Sequence, residues 1–491
     1  MDQTQTTRRS PSFFSWPLLG LVLTAFLSTA CGNWDEFGNG PLNPHNTIVK
    51  GPVGGLNVQH DLLPSGTGAS HGAEVGVMVD RNGDYYVSSY KSELYAYDHT
   101  GAWMGVYSFG FDGPRAAPYV STKPMTSASS ARIFTGAEGG GFHVIDVDKT
   151  TTPFTMTLAD SDLTLGTSES SPKRAGDKTF YIAGQWGDIV RYDYSSASGL
   201  SRLSTFSLGE VVTGAIALYD VDPQFPDEEV LVATTDGNFY VLDHTLSMIL
   251  WSNTVGAPTS DLYYAGVTVA ERGSFDPIAV LPIAADGAPG TSPNSGKVRA
   301  INLNTRAVEW EMVPSQTVVS RDAIEGSVAI LHNQQNFNTQ PGDGNPGGGD
   351  DDFGGGMIED ANGNGGFGGG IDLPDVPTTA MNNLSPFHAT FASTDAFLYG
   401  IDLLTGFEIW NYPLTVSAYD APVVDVDNII YVGDGSTTLH AVEGKMFCPG
   451  CGIWTDNSIN IGGVSDIVKL GVTNQRGLVV GSGSSAYALF Q

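Results

Sequence analysis

The chain has 491 residues, 53 of them acidic and 22 basic, so the formal net charge is −31. An acidic balance of this size excludes an extended phosphate-binding surface, and nucleic acid with it as a partner. The length predicts two to three domains, unless one large β architecture uses most of the chain.

Residues 1–30 read as a secretion signal: Arg8 and Arg9, an apolar run from Trp16 to Leu27, then the small residues Ser28, Thr29 and Ala30 before Cys31. The run is too short for comfortable membrane spanning. A cysteine directly after small residues resembles the lipobox of bacterial lipoproteins, in which that cysteine is lipidated and becomes the first residue. The pattern prefers Leu three places before the cysteine, where this chain has Ser28, with Leu27 one place earlier. The resemblance implies lipidation at Cys31, and Gly32 in place of Asp implies the outer membrane as destination. Residues 31–45, rich in Gly, Asn and Pro, have no periodicity and read as a tether. No later segment approaches the roughly 18 apolar residues of a membrane helix, so lipid alone is expected to hold the body to the membrane.

Beyond the tether, one short motif recurs. It reads LYAYD from Leu94, FHVID from Phe142, IVRYD from Ile189, FYVLD from Phe239, VRAIN from Val298, LYGID from Leu398, LHAVE from Leu439 and AYALF from Ala486. Successive starts lie 48, 47, 50, 59, 100, 41 and 47 residues apart, and a low-complexity insertion accounts for most of the outlier. A period near 45 residues fits four strands of about six residues with their turns, which is one propeller blade. A strand-like run precedes each motif, such as YYVSSY from Tyr85 or IIYVGDG from Ile429, and a turn and an outer strand follow, often with Trp. Alternation with period two, punctuated densely by Gly, Asp and Pro, argues against long helices. The chain stops at the third strand of its last blade, so an N-terminal strand near 46–50 is expected to complete the sheet and close the ring.

An acidic residue, a Thr-Gly turn and a following Trp resemble the repeat of the pyrroloquinoline-quinone (PQQ) type, quinoprotein-like propellers. Asp402, Thr405, Gly406 and Trp410 keep the full pattern; Asn302, Thr305 and Trp310 keep most of it; Asp98, Thr100, Gly101 and Trp103 carry a contracted form. The resemblance implies an all-β, eight-bladed propeller of four-stranded antiparallel blades over residues 46–491. It also implies that the outer-strand tryptophans, Trp103, Trp251, Trp310, Trp410 and Trp454, dock each blade on the next. It is specific for fold and hardly for function.

The insertion at 333–379 is too rich in Gly and Asp to bury a core and is expected to be disordered. Asp360, Asn362, Asn364 and Gly365 begin like a calcium loop, but Ile371 stands where a bidentate Glu belongs, so no metal site is assigned. The carboxylates at Asp80, Asp220 and Asp425 fall between first and second strands and read as turn formers. Asp220, Asp222 and Asp227 slightly resemble the cation loop of integrin-type propellers, though the intervening PQFP departs from it. Cys448 and Cys451 form a Cys-x-x-Cys pair, read first as a structural disulfide, with thiol exchange as the alternative.

No His-Glu-x-x-His is present in the sequence, and no Gly-rich phosphate loop stands in a strand-to-helix setting. The leading expectation is a monomeric, non-enzymatic scaffold without cofactor, lipid-anchored at the outer membrane. Its partner would be an envelope protein or surface polymer, and in form it is similar to the BamB-type propeller lipoproteins. A PQQ- and calcium-dependent dehydrogenase of alcohols or sugars is the second reading, although the vicinal Cys-Cys of such alcohol dehydrogenases is absent from the sequence. A carbohydrate-binding propeller is the third.

Overall fold

In the computed structural model the described residues are 57–61 and, with intervening gaps of which 332–386 is the longest, 77–490. They form eight four-stranded antiparallel sheets and no helix. Blade 1 consists of Val77–Val79, Tyr85–Ser89, Glu93–Tyr97 and Trp103–Ser108, innermost strand first. Blades 2 to 7 repeat this order over 119–162, 173–207, 217–254, 268–312, 329–413 and 423–456. Each repeated motif is the third strand of its blade, as its alternation predicts.

Blade 8 closes the ring. Its first three strands are Ile467–Val472, Gly477–Ser482 and Ala486–Phe490, and its fourth is Asn57–Asp61 from the other end of the body. Asn57 lies opposite Phe490 and Asp61 opposite Tyr487. The closing strand therefore begins at Asn57, later than the 46–50 stretch expected from the sequence, which lies outside the described residues. The outer edge of Ala486–Phe490 would otherwise leave a row of unpaired backbone groups, and this pairing fills it.

The second strands of blades 1, 6 and 7, Tyr85–Ser89, His388–Ser393 and Ile429–Gly433, are buried at every position because each blade is covered on both faces by its neighbours. Fourth strands alternate instead: Val308–Met312 is exposed at Val308, Glu309 and Glu311 and buried at Trp310 and Met312. The core is thus a series of apolar layers between blades. One joins Leu231, Phe239 and Val241 of blade 4 to Val269, Ala279 and Ile301 of blade 5. Each fully buried aliphatic or aromatic side chain in such a layer contributes about 1.5–3 kcal/mol.

Two faces result. One carries the turns between first and second and between third and fourth strands. The other, the crossover face, carries the second-to-third-strand hairpins and the links from blade to blade. The link from blade 3 to blade 4 hydrogen-bonds to hairpins on both sides: Leu208 N donates to Gly187 O at 2.9 Å, Val212 N to Gln185 O at 3.2 Å and Thr235 N to Val211 O at 3.0 Å.

Candidate functional site

The residues singled out from the sequence divide by register. In blades 4 to 7, Trp251, Trp310, Trp410 and Trp454 stand opposite the third residue of their motifs, Val241, Ala300, Gly400 and Ala441. Trp310 is 7% exposed, and its Nε1 donates to the Leu403 carbonyl of blade 6 at 3.1 Å. Beneath the indole lies Gly406, at φ +72, where a Cβ would come within 2.7 Å of the ring. Asp402 builds that turn: its Oδ1 accepts from Leu404 N at 2.8 Å and Thr405 N at 3.0 Å, and its carbonyl accepts from Gly406 N at 2.8 Å. The Asp-Thr-Gly sequence thus makes a turn flat enough for the preceding blade's tryptophan to lie on. Trp410 is buried in the layer with Val424, Ile430 and Val442 of blade 7. Trp251 is half-buried in the layer between blades 4 and 5, edge-on to Phe239.

Trp103 departs from this set. It opposes Tyr97, and the register position that holds tryptophan in blades 4 to 7 is taken in blade 1 by Gly105, opposite Ala96. The contracted turn brings Trp103 into the strand too early, and it is 48% exposed. At Gly105 a Cβ would meet the Phe154 carbonyl at 2.9 Å, because the second blade's chain, not an indole, fills the gap. The same register position is Asp160 in blade 2, Ser204 in blade 3 and His60 in blade 8.

The acidic side chains that could serve chemistry are engaged in structure. Asp80 is fully buried; its Oδ1 accepts from Asn82 N at 2.8 Å and Asp84 N at 3.1 Å, and its Oδ2 from the Tyr86 hydroxyl at 3.1 Å. Lys149 of blade 2 reaches across to both Asp80 and Asp84. Burial and the neighbouring Asp80 raise the Asp84 pKa, and Lys149 opposes them. Blade 7 repeats the turn, with Asp425 accepting from Asp427 N and Ile429 N, both at 2.9 Å, and from the Tyr431 hydroxyl at 3.2 Å. On the crossover face Asp434 and His440, both buried, meet at 3.2 Å across one hairpin. Among the described residues no three His, Cys, Asp or Glu side chains are placed to hold a metal ion.

The crossover face of blades 2 and 3 presents apolar side chains instead. Trp186 is 69% exposed and Leu163 is 66% exposed. Gly187, at φ +84, fixes the hairpin tip behind Trp186, since a Cβ there would run into the Glu210 backbone. Glu210 anchors the adjoining blade, accepting from Thr234 Oγ1 at 2.7 Å, Asn238 Nδ2 at 3.0 Å and the Tyr240 hydroxyl at 2.7 Å. Burial alone would raise the Glu210 pKa, but these donors outweigh it and hold the carboxyl below its usual range. Trp186 is thus a large apolar group on a rigid support, and no repeat pattern marks it in the sequence.

Cys31, Cys448, the insertion at 333–379, and Asp220, Asp222 and Asp227 lie outside the described residues. Cys451 opens the outer strand Cys451–Asp456 of blade 7, opposite Glu443.

No family model and no curated protein matches the chain. Among solved structures it is similar to BamB from Moraxella catarrhalis, at 14% identity and TM-score 0.50, over 89% of this chain and 100% of that one. A europium-containing methanol dehydrogenase aligns at 12% identity and TM-score 0.57, over 94% and 92%. Sqt1 of Saccharomyces cerevisiae aligns at 9% identity and TM-score 0.58, over 89% and 99%. The chain is an all-β propeller of four-stranded blades. Within that class its fold is similar to those of BamB and the methanol dehydrogenase.

Proposed function

We propose that this propeller is a non-enzymatic binding scaffold, exported, lipid-anchored through Cys31 at the outer membrane, and engaging an envelope protein with the crossover face of blades 2 and 3. One observation carries the reading: the buried carboxylates are consumed in turns and blade junctions, whereas Trp186 and Leu163 stand exposed on hydrogen-bonded supports. Exposed aromatics on rigid frames supply contact area at low entropic cost and are favoured as anchors of protein interfaces.

Crosslinking in the native envelope tests the partner. One reproducible crosslinked protein is expected, lost in Trp186→Ser, and recovery of none counts against the scaffold. Cys31→Ala should release the chain from membranes; continued retention would sink the anchor. Reconstitution with PQQ and calcium provides the opposing test, because dye-linked oxidation of an alcohol or sugar would replace the scaffold with an enzyme.

A further inference from the structure

Blades 2 and 3 depart from the other blades on the face opposite Trp186. Their third strands, Phe142–Asp148 and Asp188–Ser195, have 7 and 8 residues, and their fourth strands, Thr155–Asp162 and Gly199–Ser207, have 8 and 9. In blade 6 the corresponding strands, Phe397–Asp402 and Glu408–Pro413, have 6 residues each. The longer hairpins extend past the ring, and a cavity of about 340 Å³ opens between the two blades. Its floor is aromatic: Phe134 and Phe180 stack at 4.1 Å between centroids, and Tyr194 stands edge-on to Phe134 at 5.4 Å.

The remaining wall is cationic. Arg132, Arg174 and Lys178 line one cavity in a chain with only 22 basic residues. Arg132 is held by Asp146 across the strand pair, Nε to Oδ1 at 2.5 Å and Nη2 to Oδ2 at 3.0 Å, with its guanidinium 4.7 Å from the Tyr194 ring centre. Burial opposes the Arg132 charge, but Asp146 outweighs it and raises the pKa, so the group stays cationic. Arg174 Nη1 donates to the Tyr119 hydroxyl at 2.8 Å, which fixes its fork at the cavity wall. Lys178 is exposed and makes no ion pair with a described residue. The nearby Asp160 is engaged with the third blade's Leu200 N at 2.6 Å. Among the described residues beside the cavity, three cations stand against Asp146 and Asp160, an excess of positive charge, and screening within about 8 Å shelters it from the acidity of the rest of the surface.

We propose that this cleft binds a small organic anion. Its carboxylate or phosphate head would lie against Arg174 and Lys178, and its flat apolar body over the Phe134 and Phe180 floor. Guanidinium and ammonium donors favour such heads through charge-assisted hydrogen bonds, and the volume lies within the range of small-ligand sites. The cleft is separate from the crossover face, so the proposal stands or falls independently of the scaffold reading.

Calorimetric titration of the full-length chain tests it, with phenyl phosphate, benzoate, inorganic phosphate and benzyl alcohol as probes. Phenyl phosphate and benzoate should bind, weaken as salt is raised, and weaken at least tenfold in Lys178→Gln and in Arg174→Gln, but not in Trp186→Ser. Because Lys178 is exposed, its variant remains a fair test if Arg174→Gln melts early. No binding of either aromatic anion at millimolar concentration, or equal binding by benzyl alcohol, would overturn the proposal. Full retention of affinity in Lys178→Gln would overturn the charged wall, and equal affinity for inorganic and phenyl phosphate would overturn the aromatic floor.

Discussion

The junction of blades 5 and 6 and the junction of blades 2 and 3 solve one packing problem in two ways. At the first, Trp310 fills the gap, donates to Leu403 and rests on Gly406. At the second, Asp160 occupies the equivalent register position and accepts from Leu200 N, beside Gly199 at φ +74. In both, a fourth-strand side chain bonds to the backbone of the next blade at a left-handed glycine. An indole does so while sealing the junction with apolar area. A carboxylate does so without covering much, which leaves room for a cleft. The repeat's chemistry can therefore change at one position without loss of the ring, and the substituted junctions are where function can be accommodated.

The largest effect that separates these junctions is expected at Trp310. Trp310→Ala removes a buried indole and its hydrogen bond and should cost about 3–5 kcal/mol in chemical denaturation. Gly406→Val should be destabilising as well, because the new side chain meets the indole and the backbone stays at φ +72. If Trp310→Ala unfolded with a loss below about 1 kcal/mol, the indole would not be the seal assigned to it. Asp160→Ala should cost less, about 1–2 kcal/mol, since it removes the hydrogen bonds from Leu200 N and Ser161 N to a partly exposed carboxylate and little apolar burial. A loss at Asp160 equal to that at Trp310 would erase the distinction between the two junctions.

Acid supplies a smaller, graded test at the third-to-fourth-strand turn of blade 4. Burial would raise the Asp243 pKa, but hydrogen bonds from Thr245, Met248 and Ser247 outweigh it and lower the value to about 2. The folded-state pKa lies below the unfolded one of about 3.9, so the stabilisation is present above that value and is lost as pH falls from about 4 to about 2. Asp243→Asn should therefore lower the melting temperature modestly at neutral pH, with the difference shrinking as pH falls toward 2. A variant that melts with the wild type at pH 7 would show that the turn contributes nothing to stability.

Most of the ring was legible in the sequence because a blade writes itself as alternation with period two, closed by turns of Asp, Thr and Gly. The third strands, the fourth strand supplied by the N-terminal part of the body, and the turn role of Asp402 follow from that grammar. The cleft is not marked by the repeat itself, although a signal for it is present. In FHVIDVD and DIVRYDYS the alternation runs two residues past the acidic position, which places Asp146 and Asp193 inside strands, not in turns. That extension marks a longer hairpin. Trp186 carried no periodic signal, since its exposure depends on a hairpin tip and not on a pattern. Burial of Asp80 was likewise hidden, because Lys149 and Tyr86 reach it from other strands.

The finest distinction concerns Trp103, whose sequence context resembles that of Trp410 while its register does not. Three fewer residues separate it from its turn Asp, so it faces Tyr97 at a strand end, and Gly105 takes the position against the next blade. A side chain 48% exposed at a strand end has already retained much of its contact with water. Trp103→Ser should therefore shift unfolding by no more than about 0.5 kcal/mol, the range of surface substitutions. The same change at Trp410, which is 8% exposed, should cost several times more. Equal losses at the two positions would mean that the indole at 103 seals a blade junction after all. In that case the contracted turn, and not the register opposite the third motif residue, would define where a docking tryptophan can stand.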